Sequence, residues 1–154
     1  MLTDHFDLPE FLQSQVAIRA GRIVEPTETV IVNLTRLCRD VLEPIRASVG
    51  KPINISSGYR PDWLNTMIGG SKKSQHMTGC AADISVEGIA PLILARQIRD
   101  LKLPGLNQCI LEYPPNGWVH VSVAEAGATP RYQFLTARLS TDHRVVYSTG
   151  LSPA

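Results

Sequence analysis

The segment at residues 80–84 places an aspartate, Asp83, among small and apolar residues in the order Cys-Ala-Ala-Asp-Ile. Such a run is typical of a buried β-strand, and burying a carboxylate costs free energy unless a cation compensates it. Seven residues before Asp83, His76 occurs in a polar, glycine-flanked loop. The small residues next to Asp83 leave space for a metal ion. A fold of this chain therefore has to bring a cation to Asp83, and His76 is a candidate to help hold it.

A second histidine, His120, lies in a run of valines at residues 117–123. Taken alone, His120 is best explained as a core histidine that bonds a carbonyl. With His76 and Asp83 it makes three protein ligands and leaves one tetrahedral position open, the pattern of catalytic zinc. The sequence thus predicts one Zn²⁺ ion, although such a mixed nitrogen and oxygen site also accepts manganese, cobalt or nickel. The alternative to a zinc site is a metal-free core in which the histidines are buried. The other two histidines, His5 and His143, are expected on the surface.

Composition narrows the class of protein. The 154 residues suit one domain, and 44% hydrophobic with 19% charged residues favours a globular chain over a disordered one. The formal net charge of +1 gives no reason to expect nucleic-acid binding. No apolar run approaches the roughly 20 residues of a membrane span, and residues 1–10 lack the pattern of a signal peptide. We therefore expect cytoplasmic synthesis, no membrane insertion, and buried free thiols at Cys38, Cys80 and Cys109.

Spacing of apolar residues predicts an α+β domain over residues 1–154. A helix is expected between Thr27 and Gly50, with a kink at Pro44 in its last turn. A short helix is expected at residues 61–68, and a second long helix is expected at residues 91–103. Strands are expected at residues 52–57, 80–86, 107–113, 118–123, 132–138 and 145–148. Antiparallel pairs late in the chain favour a small antiparallel sheet, and residues 1–26 are expected to be an extended lead-in packed on the domain.

The motif around the candidate ligands resembles that of a known family. Ser74, His76, Gly79, Ala81 and Asp83, followed by Trp-Val-His at residues 118–120, resemble the zinc D-alanyl-D-alanine carboxypeptidase family of metallopeptidases. Residues 57–61 (Ser-Gly-Tyr-Arg-Pro), with the opening at 2–6 and the closing at 147–151, look closest to its phage and prophage branch. The resemblance covers nearly the whole chain.

This resemblance implies a fold, a cofactor and a substrate. The fold is the one shared by hedgehog signalling domains and D,D-peptidases, with zinc held by His76, Asp83 and His120 on an antiparallel sheet. The implied partners are stem peptides of bacterial peptidoglycan, with action on the cell wall after release. Arg60 matches the arginine of the family and would bind the substrate carboxylate or the oxyanion; a surface ion pair with Asp62 is the alternative.

The chain departs from the family at the general base. Many members carry an acid three residues before the last histidine ligand, where this chain has Gly117. Glu112, at the end of the preceding strand, is the replacement that we expect, and an exposed hairpin carboxylate is the alternative. A four-residue loop would turn Glu112 away from His120, whereas a five-residue loop or a bulge would bring both to one face. We predict the second arrangement.

Two further residues are candidates for substrate binding. Ser74 is expected beside the ligands, and Trp118 either forms a wall of the cleft or belongs to the core. The reaction is then removal of a terminal D-alanine by a carboxypeptidase, or cleavage of cross-linking peptides by an endolysin-like endopeptidase. A zinc-binding, hedgehog-like module without turnover is the alternative from another class, and the missing acid at Gly117 is the feature that favours it.

Overall fold

The computed structural model describes residues 1–153, which form one α+β domain around a six-stranded sheet. The sheet order is β1-β2-β4-β3-β5-β6. The strands are β1 (Asn54–Ser57), β2 (Ala81–Ser85), β3 (Leu106–Glu112), β4 (Trp118–Val123), β5 (Gln133–Leu139) and β6 (Val145–Thr149). The α-helices are α1 (Gln15–Arg19), α2 (Glu28–Leu37), α3 (Glu43–Val49), α4 (Asp62–Met67) and α5 (Pro91–Asp100).

The sheet is mixed, which corrects the expectation of an antiparallel sheet. Strands β3 and β5 pair in parallel, whereas β1–β2, β2–β4, β3–β4 and β5–β6 are antiparallel. The parallel pair arises because the chain leaves β4, passes β3 and adds β5 on the far side of β3. Strand β5 then runs opposite to β4 and in the same direction as β3. The strands that carry Asp83 and His120 form an antiparallel pair.

The first long helix forms where the sequence predicts it, but it is interrupted. Thr27 caps α2 by accepting a hydrogen bond from the Val30 N–H. A π-helical turn, Cys38–Leu42, joins α2 to α3, and the Glu43 N–H bonds the Cys38 carbonyl five residues back. This wide turn comes immediately before Pro44, whose ring would crowd the carbonyl four residues earlier in a regular helix. All five residues of the predicted apolar face are buried, namely Val30, Leu34, Leu37, Val41 and Ile45.

The N-terminal segment packs on the domain as expected, but it is not extended throughout. It contains a short 3₁₀ helix, Leu8–Phe11, and α1. At the start of the 3₁₀ helix the Asp7 N–H donates to Glu10 Oε1, and the Glu10 N–H donates to the Asp7 carbonyl, so local hydrogen bonds shape the segment. The side chains of Phe6 and Phe11 are buried, with their ring centroids 6.2 Å apart. The segment is therefore part of the core.

Within residues 1–153, no helix has both the length and the apolar character needed to cross a bilayer.

The buried N-terminal segment gives a stability prediction. Replacing Phe11 with Ala removes a ring that is 0% exposed, and we expect a loss of about 3–5 kcal/mol in the free energy of unfolding. Urea denaturation followed by circular dichroism measures it. The control is Ile23→Ala on the same segment, where the side chain is 79% exposed and the change should stay within about 0.5 kcal/mol. Equal, small effects of both substitutions would show that the segment is a detachable appendage.

Candidate metal centre

Three buried side chains converge where β2 and β4 meet the loop before β2. Asp83 on β2 pairs directly with His120 on β4, so both side chains project from the same face of the sheet. His76 reaches them from a 3₁₀ helix, Gln75–Thr78. The Asp83 Oδ1 atom lies 2.9 Å from His120 Nδ1 and 3.3 Å from His76 Nε2, and the two nitrogens are 3.2 Å apart. One ligand atom from each residue thus faces a common centre.

The loop that carries His76 is held against α2. Asn33 on α2 donates a hydrogen bond of 2.8 Å from Nδ2 to the carbonyl of Thr78. Gly79 follows in the left-handed region at φ +75°, and a Cβ there would lie 2.8 Å from the Val30 carbonyl oxygen. The glycine of the motif is therefore needed for both its backbone conformation and the close approach of the helix. These contacts fix the position of the His76 loop relative to the sheet.

A backbone carbonyl orients the His76 imidazole. His76 Nδ1 lies 2.7 Å from the Gly58 carbonyl oxygen, and because a carbonyl only accepts, Nδ1 carries the proton. The lone pair of Nε2 then points towards Asp83 and His120. Gly58 is in turn pressed against the N-terminal segment, since a Cβ on it would lie 2.6 Å from both Phe11 Cα and the Phe11 carbonyl oxygen. Phe11 therefore helps to position a metal ligand through Gly58.

The protonation states of the cluster fit a cation. Burial lowers the pKa of His76 against the opposing effect of Asp83, and this shift favours the neutral imidazole that coordinates a metal. Burial acts to raise the pKa of Asp83, but the neighbouring His76 and His120 outweigh it and hold that pKa below its usual range. An ionised carboxylate between two imidazoles gives a donor set of two nitrogens and one oxygen. This set fits Zn²⁺ with one coordination position left open, as in catalytic zinc sites.

Glu112 lies on the same face of the sheet as His120. Ile110 pairs with His120 and Glu112 pairs with Trp118, which leaves five residues, 113–117, in the loop. The five-residue arrangement expected from the sequence is therefore the one observed. The Glu112 carboxyl is partly buried, and this burial raises its pKa, while the nearby His120 and Arg60 oppose the rise. Glu112 is thus a polar group inside the site and not an exposed hairpin carboxylate.

Arg60 also enters the site. The guanidinium is partly buried, its Nη2 donates to Ser74 Oγ over 3.2 Å, and Ser74 Oγ also accepts from the His76 N–H over 3.3 Å. Within residues 1–153, Arg60 forms no ion pair with Asp62, so the surface alternative is wrong for this structure. Ser74 therefore connects the arginine to the loop that carries His76.

Trp118 is half-buried beside Tyr113, with their ring centroids 5.2 Å apart.

The site opens into a groove of about 920 Å³. All the residues expected to act in catalysis or binding line it, namely Arg60, Ser74, His76, Asp83, Glu112, Trp118 and His120. Two buried donors in the groove, Arg60 Nε and Trp118 Nε1, have no hydrogen-bond partner in the described part of the chain. The two side chains line the groove, although these particular atoms are buried within its wall. The sequence did not predict the wall of the groove formed by Arg131, Leu135, Val145 and Tyr147. No local motif indicates that β5 pairs with β3 and that β6 then pairs with β5.

The remaining histidines and cysteines behave as expected. His5 Nδ1 lies 2.8 Å from a carboxylate oxygen of Glu43, and His143 is exposed in the turn before β6. Cys38, Cys80 and Cys109 are buried free thiols. None of these side chains joins the three-residue cluster.

Comparison with known proteins identifies the family. The sequence profile described as Peptidase M15 matches residues 4–122, which is most of the chain and includes all three candidate ligands. The chain belongs to the peptidase M15 family. A search of curated proteins finds no match. M15 peptidases are zinc-dependent, so this membership and the buried cluster together make the protein a metallopeptidase with a candidate zinc centre.

The structure explains why this M15 member has no acid at residue 117. A Cβ on Gly117 would lie 1.8 Å from the backbone oxygen of Glu112, and the Gly117 N–H bonds the Tyr113 carbonyl. An aspartate or glutamate could not occupy this position without opening the loop. The close loop that excludes the acid at residue 117 is also the loop that brings Glu112 to the face of His120.

The contact between Gly58 and Phe11 gives a prediction for metal affinity. The Gly58→Ala substitution should displace the Gly58 carbonyl from His76 and weaken Zn²⁺ binding about 10- to 100-fold, as loss of a ligand's supporting hydrogen bond does. Competition with a chromophoric chelator measures the affinity. The matched control is Gly105→Ala, whose Cβ would lie 3.0 Å from the Asp40 side chain, away from the cluster. If both variants lose stability but bind zinc like the wild type, the positioning role is wrong.

Proposed function

We propose that this M15 metallopeptidase hydrolyses peptide bonds in the stem peptides of bacterial peptidoglycan. The observation that carries the proposal is the placement of Glu112 beside the His76, Asp83 and His120 cluster in a groove. A proton acceptor next to three metal-ligand side chains is the arrangement that metal-assisted hydrolysis requires. The motif at residues 74–83, which resembles zinc D-alanyl-D-alanine carboxypeptidases, supports the cell-wall substrate.

The groove favours a substrate longer than a dipeptide. It extends from residues 13–16 near α1, past the cluster, to Val145 and Tyr147 on β6. This length supports an endopeptidase that cuts within cross-linking peptides, while a carboxypeptidase that removes terminal D-alanine remains the second form of the proposal. The resemblance of residues 57–61 and 147–151 to phage and prophage members supports an endolysin-like enzyme that acts on the wall after release.

His76, Asp83 and His120 would hold the ion. When bound, Zn²⁺ there polarises the scissile carbonyl and lowers the pKa of the attacking water. Glu112 accepts the proton from the water and returns it to the leaving amine. Burial raises the pKa of Glu112, which makes it a stronger base than an exposed glutamate. Glu112 is therefore the general base and acid of the proposed reaction.

Arg60 and Trp118 bind the substrate in this proposal. Ser74 holds the Arg60 guanidinium in place, and this guanidinium lines the groove, where it would donate to a carboxylate or to the developing oxyanion. The half-buried Trp118 ring forms a wall of the groove beside Glu112. Ser74 also orients His76 through the backbone N–H, so it links substrate binding to the metal ligands.

The Glu112→Gln variant tests the general base. It keeps the size and hydrogen-bonding ability of the side chain but cannot accept the proton, so we expect kcat to fall at least about 100-fold. Zinc content, measured by elemental analysis, should be unchanged. The control is Glu125→Gln, a carboxylate that bonds Thr78 and does not line the groove. Near wild-type turnover by zinc-loaded Glu112→Gln would end the assignment.

A zinc-stabilised module without turnover is the rival function, and the absence of an acid at Gly117 favours it. Incubating zinc-loaded protein with purified peptidoglycan and measuring new amino groups separates the two. We expect release that a chelator abolishes and that added Zn²⁺ restores. No release over a range of pH and metal ions would leave the binding module as the better account.

A further inference from the structure

The groove is unevenly charged away from the metal centre. Among the described residues, the only acids that line it are Asp83 and Glu112, which both belong to the centre. Three cations line it, namely Arg60, Lys73 and Arg131. Arg60 lies at the centre, but Lys73 and Arg131 face parts of the groove that hold no acid. A bound Zn²⁺ would make the whole groove more positive. The groove therefore favours a negatively charged substrate.

Arg131 is held in place by a chain of buried amides. Its backbone N–H and its Nε both donate to Asn107 Oδ1, over 3.0 Å and 3.4 Å. Asn107 is 3% exposed, and its Nδ2 donates to Gln75 Oε1 over 3.1 Å. Gln75 precedes the ligand His76 and donates from Nε2 to the Val123 carbonyl over 3.0 Å. The base of the Arg131 side chain is thus connected to the loop of the metal ligand.

The outer part of the Arg131 guanidinium is free. In the described residues its Nη atoms have no hydrogen-bond partner, and Arg131 forms no ion pair. A planar guanidinium with its stem fixed and its outer nitrogens free is arranged to bind a carboxylate through two parallel hydrogen bonds.

The sheet register sets the distance from Arg131 to the centre. His120, Ile110 and Leu135 are paired across β4, β3 and β5, and Arg131 precedes Leu135 by four residues. At a strand rise of about 3.3 Å per residue, Arg131 lies at most about 13 Å along the strand direction from the row of His120. An extended peptide covers that distance with about four residues. Arg131 also lies beyond residues 4–122, the part matched to the family.

We propose that Arg131 forms a second anion-binding subsite, which recognises a free carboxylate of the substrate within about four residues of the bond that is cut. The inference rests on the proposed peptidase function. It specifies the substrate class as an acidic peptide and makes Arg131 a specificity-determining residue. Arg60 binds one carboxylate or the oxyanion at the centre, and Arg131 binds a second carboxylate on the wall formed with Leu135, Val145 and Tyr147.

Two synthetic peptides that differ at one group test this subsite. The first is L-Ala-γ-D-Glu-L-Lys-D-Ala-D-Ala, and the second carries D-isoglutamine, so that a carboxamide replaces the free α-carboxylate. Calorimetry on zinc-loaded protein measures the Kd of each, and amino-group release measures hydrolysis. We expect the wild type to bind the carboxylate form about 10-fold more tightly, as one charge-assisted pair allows.

The variants assign this preference to Arg131. Arg131→Gln should lose the preference by weakening only the carboxylate peptide, and Arg131→Lys should regain part of it. Arg144→Gln is the control, because Arg144 is exposed, pairs with Asp142 and does not line the groove. Zinc affinity and Tm should match the wild type in all three. These readouts separate an anion subsite from a merely structural role.

The outcomes separate this inference from the proposed function. Hydrolysis without a carboxylate preference, or a preference that survives in Arg131→Gln, overturns the subsite alone. A preference that depends on Arg131, without hydrolysis, supports the subsite and counts against the peptidase. The absence of both binding and hydrolysis overturns both.

Discussion

The pairing of Asp83 with His120 on adjacent strands is the interaction on which the rest of the site depends. A carboxylate that is 7% exposed needs compensating groups, and the imidazoles of His76 and His120 face it. Strand pairing sets the spacing of two of the three donors, so the centre is built into the sheet rather than into mobile loops. His76 is the one donor from a loop, and contacts with α2 and with Gly58 fix it. The centre is thus preorganised by the fold.

The register of β3 and β4 also determines to which face of the sheet the Glu112 side chain points. Side chains alternate along a strand, so a loop one residue shorter would point the Glu112 carboxylate to the opposite face of the sheet. The five-residue turn requires a residue without a Cβ at Gly117. The turn that excludes an acid at residue 117 therefore also brings the acid at residue 112 to the face of His120. The departure from the family pattern and the presence of Glu112 are two consequences of one turn.

Sequence patterns predicted the parts of this protein that depend on local periodicity and on chemically costly residues. The buried face of α2 followed from apolar spacing, and the three ligands followed from a carboxylate and a histidine in unusual surroundings. The π-helical turn before Pro44, the parallel pairing of β3 with β5, and the 3₁₀ helix at Leu8–Phe11 did not follow. The π-helical turn and the 3₁₀ helix are local features that apolar spacing does not reveal. The pairing of β3 with β5 depends on how segments distant in sequence pack together. The contact of Phe11 with Gly58 is of the same kind, because neither residue carries any chemical signal in the sequence.

The groove combines two sources of specificity of different origin. The centre, with Arg60, Glu112 and the three ligand side chains, lies within the part matched to the M15 family. The far wall, with Arg131, Leu135, Val145 and Tyr147, comes from residues beyond that match and reaches the centre only because β5 pairs with β3. In the proposed function, the antiparallel pair β2–β4 supplies two of the three metal-ligand side chains, and the strands added at the other edge contribute to the choice of substrate. A change in β5 and β6 could therefore alter which peptide is cut without disturbing the metal ligands.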